Sequence, residues 1–124
     1  MRIGIVGSRK FPELILVKKY IDALPDDSII ISGGANGVDT AAQESAENRG
    51  LITIIFLPDL NNCLNRLDVI QRYYDRNQNI VENSDKIIAF TEKNTGGTWD
   101  TIRRANKAGK RVEIIRPNIL GGKC

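Results

Sequence analysis

Three segments gather the residues best suited to holding an anion. They are Gly7-Ser8-Arg9-Lys10-Phe11, Ser32-Gly33-Gly34-Ala35-Asn36-Gly37-Val38-Asp39 and Thr95-Gly96-Gly97-Thr98-Trp99-Asp100. Glycine lets backbone N–H groups come close to a phosphate, and the start of a following helix adds partial positive charge. Ser8, Ser32 and Thr98 offer hydroxyl donors, and Arg9 a planar, permanently charged partner. Glycine also serves tight strand-to-helix turns that bind nothing, so it takes several such loops flanking one crevice to point to a ligand. The G-x-G-x-x-G spacing is absent from Gly4-Ile5-Val6-Gly7-Ser8-Arg9, and no Walker motif occurs. NAD enzymes and P-loop NTPases are therefore poor candidates.

The chain contains no histidine. That excludes Ser-His-Asp and Cys-His arrangements and His-based zinc sites, so no metal site is expected, and any catalysis must use Asp, Glu, Lys, Tyr or backbone dipoles. The weak catalytic candidates are Asp39 and Asp100. Eighteen basic against fifteen acidic residues leave a net charge of +3, compatible with phosphates but far from a dense nucleic-acid clamp. Cys63 and Cys124, one mid-chain and one at the last position, argue against a structural disulfide and for a reducing compartment. The first apolar run, Met1 to Val6, is too short for a signal peptide, and no stretch approaches the roughly 20 residues that cross a bilayer. A soluble, cytoplasmic protein with no membrane partner is expected.

These loops need elements to position them. Apolar runs at Arg2 to Val6, Ile29 to Ile31, Leu51 to Leu57, Asp85 to Phe90 and Arg111 to Ile115 read as strands. Helical spacing covers Glu13 to Leu24, Val38 to Asn48, Arg66 to Asn83 and Thr98 to Ala108, with Pro12 placed to open the first. The small inward face of the second helix, Val38, Ala41 and Ala42, lets it sit close to a sheet. The pattern predicts an α/β fold, a Rossmann-like three-layer sandwich with a doubly wound five-stranded parallel sheet in the order 3-2-1-4-5. In that order the loops after strands one, two and four meet where the winding reverses, the crevice where open α/β sheets bind ligands. Residues 1–117 are expected to form one domain and 118–124 a flexible tail.

Some residues keep two readings. Asn77 shares a stripe with Leu67, Ile70, Tyr74 and Val81, and Arg76 one with Val69, Tyr73 and Ile80; inward polar groups need partners, whether loops or a ligand. Asp39 would be favoured in a helix's first turn without any ligand. Trp99 could stack on a purine or pack the last helix against the sheet. The basic cluster Arg103, Arg104, Lys107, Lys110 and Arg111 could serve a DNA backbone or be a solvated helix end.

On Ile5-Val6-Gly7-Ser8-Arg9-Lys10-Phe11, the Ser32 to Ala42 segment, Arg76-Asn77 and Gly96-Gly97-Thr98 running into Arg104 to Gly109, the chain resembles the SLOG superfamily of Rossmann-like nucleotide-binding domains, especially its small single-domain YspA-like branch. The resemblance implies a pocket lined by Gly7, Ser8, Arg9, Gly33, Gly34, Gly37, Asp39, Asn77, Gly97 and Thr98. Ser32 and Gly96 from the loops and Arg76 from the third helix complete the candidate set. Two related families imply different activities. The DNA-processing protein A family, similar at the Gly-Ser-Arg and Ser-Gly-x-Ala-x-Gly-x-Asp loops, binds single-stranded DNA, whereas this chain has few aromatic residues for stacking bases. The lonely-guy-type phosphoribohydrolases cleave nucleoside monophosphates with a Pro-Gly-Gly-x-Gly-Thr-x-x-Glu motif. Here Thr95-Gly96-Gly97-Thr98-Trp99-Asp100-Thr101 lacks a glycine step and places Thr101 where the carboxylate would stand. The expectation is a binder of a nucleotide or nucleotide-derived ligand, with no other cofactor, as a sensor rather than an N-glycosidase or DNA binder. Homodimerisation is implied by the resemblance alone.

Overall fold

Alternate residues of a strand face opposite sides of its sheet, and the apolar runs use both sides. The computed structural model, which describes residues 1–118, places β1 (Arg2–Gly7), β2 (Ile29–Ser32), β3 (Ile52–Ile55), β4 (Lys86–Phe90) and β5 (Arg111–Ile115) in one sheet of order β3-β2-β1-β4-β5. Every neighbouring pair is parallel. Between the strands run α1 (Ile15–Asp22), α2 (Val38–Asn48), α3 (Arg66–Glu82) and α4 (Gly96–Lys107).

The sheet divides two cores. Ile3, Ile5, Ile30, Ile88 and Phe90 pack with Val17 and Ile21 of α1 and with Val38, Ala42 and Ala46 of α2. Val6, Ile31, Ile87 and Ala89 face the other way, onto Ile80 and Val81 of α3 and Ile102 and Ala105 of α4. Full burial of an aliphatic side chain contributes about 1.5–3 kcal/mol. A sheet covered on both faces therefore needs apolar residues at nearly every position of its central strands, as β1 and β4 have. The expected doubly wound α/β sandwich and its strand order are both present.

Boundaries differ at three places. α1 is shorter than Glu13 to Leu24, because only Val17 and Ile21 are buried along it, and Leu14 is 40% exposed. Pro12 therefore precedes the helix without opening it. β3 stops at Ile55 rather than Leu57, since its only neighbour, β2, ends at Ser32, the partner of Ile55. α4 starts at Gly96, two residues before the expected Thr98, so the Gly-Gly pair forms its first turn. Residues 119–124, which hold Cys124 and nearly all of the expected tail, lie outside the described residues. No helix among the described residues is long and apolar enough to cross a membrane.

Candidate functional site

The carboxyl ends of β1 and β4 lie side by side, with Gly7 paired to Phe90 and the Ser8 N–H donating to Phe90 O at 3.1 Å. α2 starts directly against this point. A Cβ on Gly7 would stand 2.5 Å from Val38 Cγ2 and 2.6 Å from Phe90 O, so only glycine permits the approach. Gly37, the N-cap of α2, has φ 83° and sits against the Arg9 backbone, which joins the loops after β1 and β2. Beyond these ends opens a cleft of about 820 Å³, at the position where the sheet order reverses.

Three groups of residues define it. The first is the opening turn of α4, where Gly96 and Gly97 are exposed and Thr95 makes no side-chain cap. The first N–H groups of a helix have no intrahelical acceptor, so Gly96, Gly97 and Thr98 present donors and the positive end of the helix dipole to the cleft. The second group is the β1–α1 loop, where Ser8 is buried and Arg9 and Lys10 are exposed. The Ser8 hydroxyl accepts from the Lys10 N–H at 3.2 Å, which shapes the loop.

The third group comes from α3. Arg76 donates through Nη1 to Gly33 O at 2.7 Å and through Nε to Asn77 Oδ1 at 3.1 Å. Burial lowers the pKa of Arg76, yet guanidinium keeps its charge in proteins. Asn77, 5% exposed, donates to Asp100 Oδ2 at 3.0 Å and to Gly97 O at 3.4 Å. Asp100 also accepts from Arg104 Nε at 2.8 Å and lies 3.7 Å from Arg103 Nη2. Its carboxylate is thus an anchor between α3 and α4 rather than a free base.

Asp39 is different. Its Oδ2 accepts from the Ala35 N–H at 3.0 Å, while Oδ1 is buried without a partner. Burial pushes its carboxyl up to about 6, against the opposing pull of the Ala35 amide, Arg76, the Gly33 amide and Arg9.

Of the residues singled out in the sequence, Gly7, Ser8, Arg9, Asp39, Arg76, Asn77, Gly96, Gly97, Thr98 and Asp100 line the cleft together. Ser32, Gly33, Gly34 and Gly37 do not. Ser32 is fully buried, Gly33 offers its carbonyl to Arg76, and a Cβ on Gly34 would meet Leu57 and Ile55. Of this loop's residues before α2, Ala35 reaches the cleft, and its N–H is already given to Asp39. Trp99 packs half-buried against the core under α3 and α4 and does not line the cleft. The aromatic residues that do are Tyr73 and Tyr74, with the Arg76 and Arg104 guanidinium carbons each 5.4 Å from one ring centroid. Arg66, Ile70 and Lys93 line it as well. The helical spacing that marks Asn77 also runs through Arg66, Ile70 and Tyr73 or Tyr74, so that signal was present in the sequence.

Residues 1–66 match the family model described as DNA recombination-mediator protein A. An uncharacterised protein of Archaeoglobus fulgidus is similar, at 29% identity over 97% of this chain and 83% of its own length. DNA processing protein DprA of Streptococcus pneumoniae is 29% identical over 98% of this chain, which spans only 52% of that relative. A solved structure of DprA from the same species aligns with a TM-score of 0.79 at 26% identity, covering 98% of this chain and 52% of that one. DNA processing protein A of Helicobacter pylori, solved for its single-stranded DNA binding mode, shares the fold at a TM-score of 0.65 and 23% identity, over 92% of this chain and 64% of its own.

Proposed function

We propose that this chain, which belongs to the DNA recombination-mediator protein A family and is a SLOG-type Rossmann-like domain, uses its cleft to bind a nucleotide or nucleotide-derived ligand by the phosphate. The observation that carries this reading is the exposed first turn of α4, uncapped by the Thr95 side chain and lining the same cleft as Arg9 and Lys10. Helix N-termini with glycine at the first turn bind phosphate through backbone amides, and nearby guanidinium and ammonium groups complete the charge. The volume of about 820 Å³ falls within the usual range for small-molecule sites. Tyr73 and Tyr74 supply apolar surface for a base.

A second reading, single-stranded DNA, is favoured by the exposed cations Lys10, Arg66, Lys93 and Arg103 around the same cleft. A strand tracked by several cations over aromatic platforms would bind with a steep salt dependence. A mononucleotide held at one phosphate would not.

Thermal unfolding with nucleoside mono- and diphosphates, ADP-ribose and short oligonucleotides separates the two. A ligand at a hundred times its dissociation constant stabilises by about 2.7 kcal/mol, enough to move the midpoint by several degrees. We expect mononucleotides to raise the midpoint and Arg9→Ala to reduce that rise. If oligonucleotides alone raise it, the nucleotide reading is wrong and the DNA reading takes its place.

A further inference from the structure

We propose that Asp39 is a proton-operated regulator of the cleft, weakening its hold on a phosphate when ionised and strengthening it when protonated. The inference rests on the nucleotide reading above and concerns the regulation of that same site.

Asp39 sits in the first turn of α2 and is only 6% exposed. A carboxylate is ordinarily favoured there by the helix dipole. Here the Ala35 N–H satisfies Oδ2, while Oδ1 is buried without a hydrogen-bond partner. A buried, half-satisfied carboxylate is costly, and taking up a proton removes the charge. Burial accordingly pushes its carboxyl up to about 6, so the group changes charge close to neutral pH.

Its surroundings make that change felt by a ligand. Two guanidinium groups act on Asp39, Arg76 from α3 and Arg9 from the β1–α1 loop, and both line the cleft. A Cβ on Gly33 would stand 2.5 Å from Arg76 Nη1 and 3.2 Å from Asp39 Oδ2, so the two side chains flank the same glycine. Arg9 arrives from the other loop, its backbone against Gly37, just ahead of Asp39 in the chain. The ionised carboxylate cancels part of the arginines' charge, and the protonated one leaves it to the ligand. Lys10, Arg66, Lys93 and Arg103 add positive charge to the cleft, and Tyr73 and Tyr74 line it too. The loop from Gly33 to Gly37 has no titratable side chain. Asp100 also lines the cleft, but its oxygens are held by Asn77, Arg104 and Arg103.

β2 and β4 flank β1, which sets the starts of α2 and α4 on the order of 10 Å apart. At an effective dielectric of about 20, unit charges so separated change affinity by roughly tenfold. The effect is Coulombic, so the ligand need not touch the buried oxygen. It is also reciprocal: a bound phosphate raises the proton affinity of Asp39 by the same factor.

The test is calorimetric titration of the four common ribonucleoside 5′-monophosphates into wild-type protein and Asp39→Asn, at pH 5 and pH 7.5. The ligand phosphate titrates in the same range, and the ratio of the two proteins' affinities at each pH cancels that contribution. We expect near-equal affinities at pH 5, and wild-type binding about three- to tenfold weaker than the variant's at pH 7.5. A ratio that is the same at both pH values would overturn the proposal and leave nucleotide binding intact. A second measurement needs no variant. Titration of the wild type at pH 7 in buffers of different ionisation heat should show net uptake of roughly a few tenths of a proton per ligand bound. Net release, or no exchange, would equally overturn the proposal. Absence of binding by all four monophosphates would overturn the nucleotide reading and this inference with it.

Discussion

Asp39 shows how one buried side chain can make stability depend on pH. Its carboxyl titrates near 6 in the folded chain against 3.8 when unfolded, chiefly because burial disfavours the charge. Between those values the folded state holds a proton that the unfolded state has released, so stability falls as pH rises through the interval. Above pH 6 the ionised group costs roughly 3 kcal/mol relative to acid conditions. Asp39→Asn removes that cost. Urea unfolding should therefore find the variant more stable than the wild type at pH 7.5, with the advantage shrinking toward pH 4. A variant less stable at both pH values would mean that the carboxylate is well solvated or paired. A deletion at Asn77 acts through geometry instead, since its amide ties Gly97 O to Asp100 and so fixes where the first turn of α4 begins. Residue type singled out Arg9, helical spacing Arg76 and Asn77, and the family resemblance Asp39. They could not show that Asp100 is bound by two arginines, because that depends on how α3 lies against α4.

At the scale of elements, the glycines of the two sides of the cleft have opposite duties. Gly7 is a packing glycine, and Gly7→Ala would drive a methyl group into Val38 and the Phe90 carbonyl. A loss of about 1–3 kcal/mol is expected, measurable by denaturant unfolding. A Cβ on Gly97 would meet nothing within 4 Å, and alanine is the better helix former, so Gly97→Ala should keep or slightly raise stability. Its methyl would stand where a phosphate approaches the first turn of α4, and nucleotide affinity should fall about tenfold while the fold is unchanged. Equal affinity with equal stability would move the phosphate away from this turn. The sequence made the strands and α2 plain, because β-branched runs and small-residue spacing are local signals. It misread the Gly-Gly pair of α4 as a loop, since glycine is a poor helix former and only the exposed surroundings of a first turn accept it. The similar-looking Gly33-Gly34 pair turns away from the cleft, a difference set by Arg76 reaching across from α3 to the Gly33 carbonyl.

For the molecule as a whole, strand order is what makes a site out of dispersed segments. Gly7, Asp39 and Gly97 are far apart in the chain, and the reversal between β1 and β4 brings their loops to one crevice. That much followed from alternating apolar runs and the handedness of their connections. The aromatic and basic walls contributed by α3 were harder to foresee, because Tyr73, Tyr74 and Arg66 sit on a helix whose spacing is that of ordinary packing. The cleft's cations outnumber its carboxylates although the net charge of the chain is only +3, so its electrostatic character belongs to the fold and not to the composition. The measurement closest to the central claim is the set of assigned backbone amide resonances during titration with a nucleoside monophosphate. Binding through the α4 turn predicts that the amides of Gly96, Gly97 and Thr98 shift most, together with those around Arg9. Saturation that leaves those amides unmoved, or no shift with any mononucleotide, would contradict it.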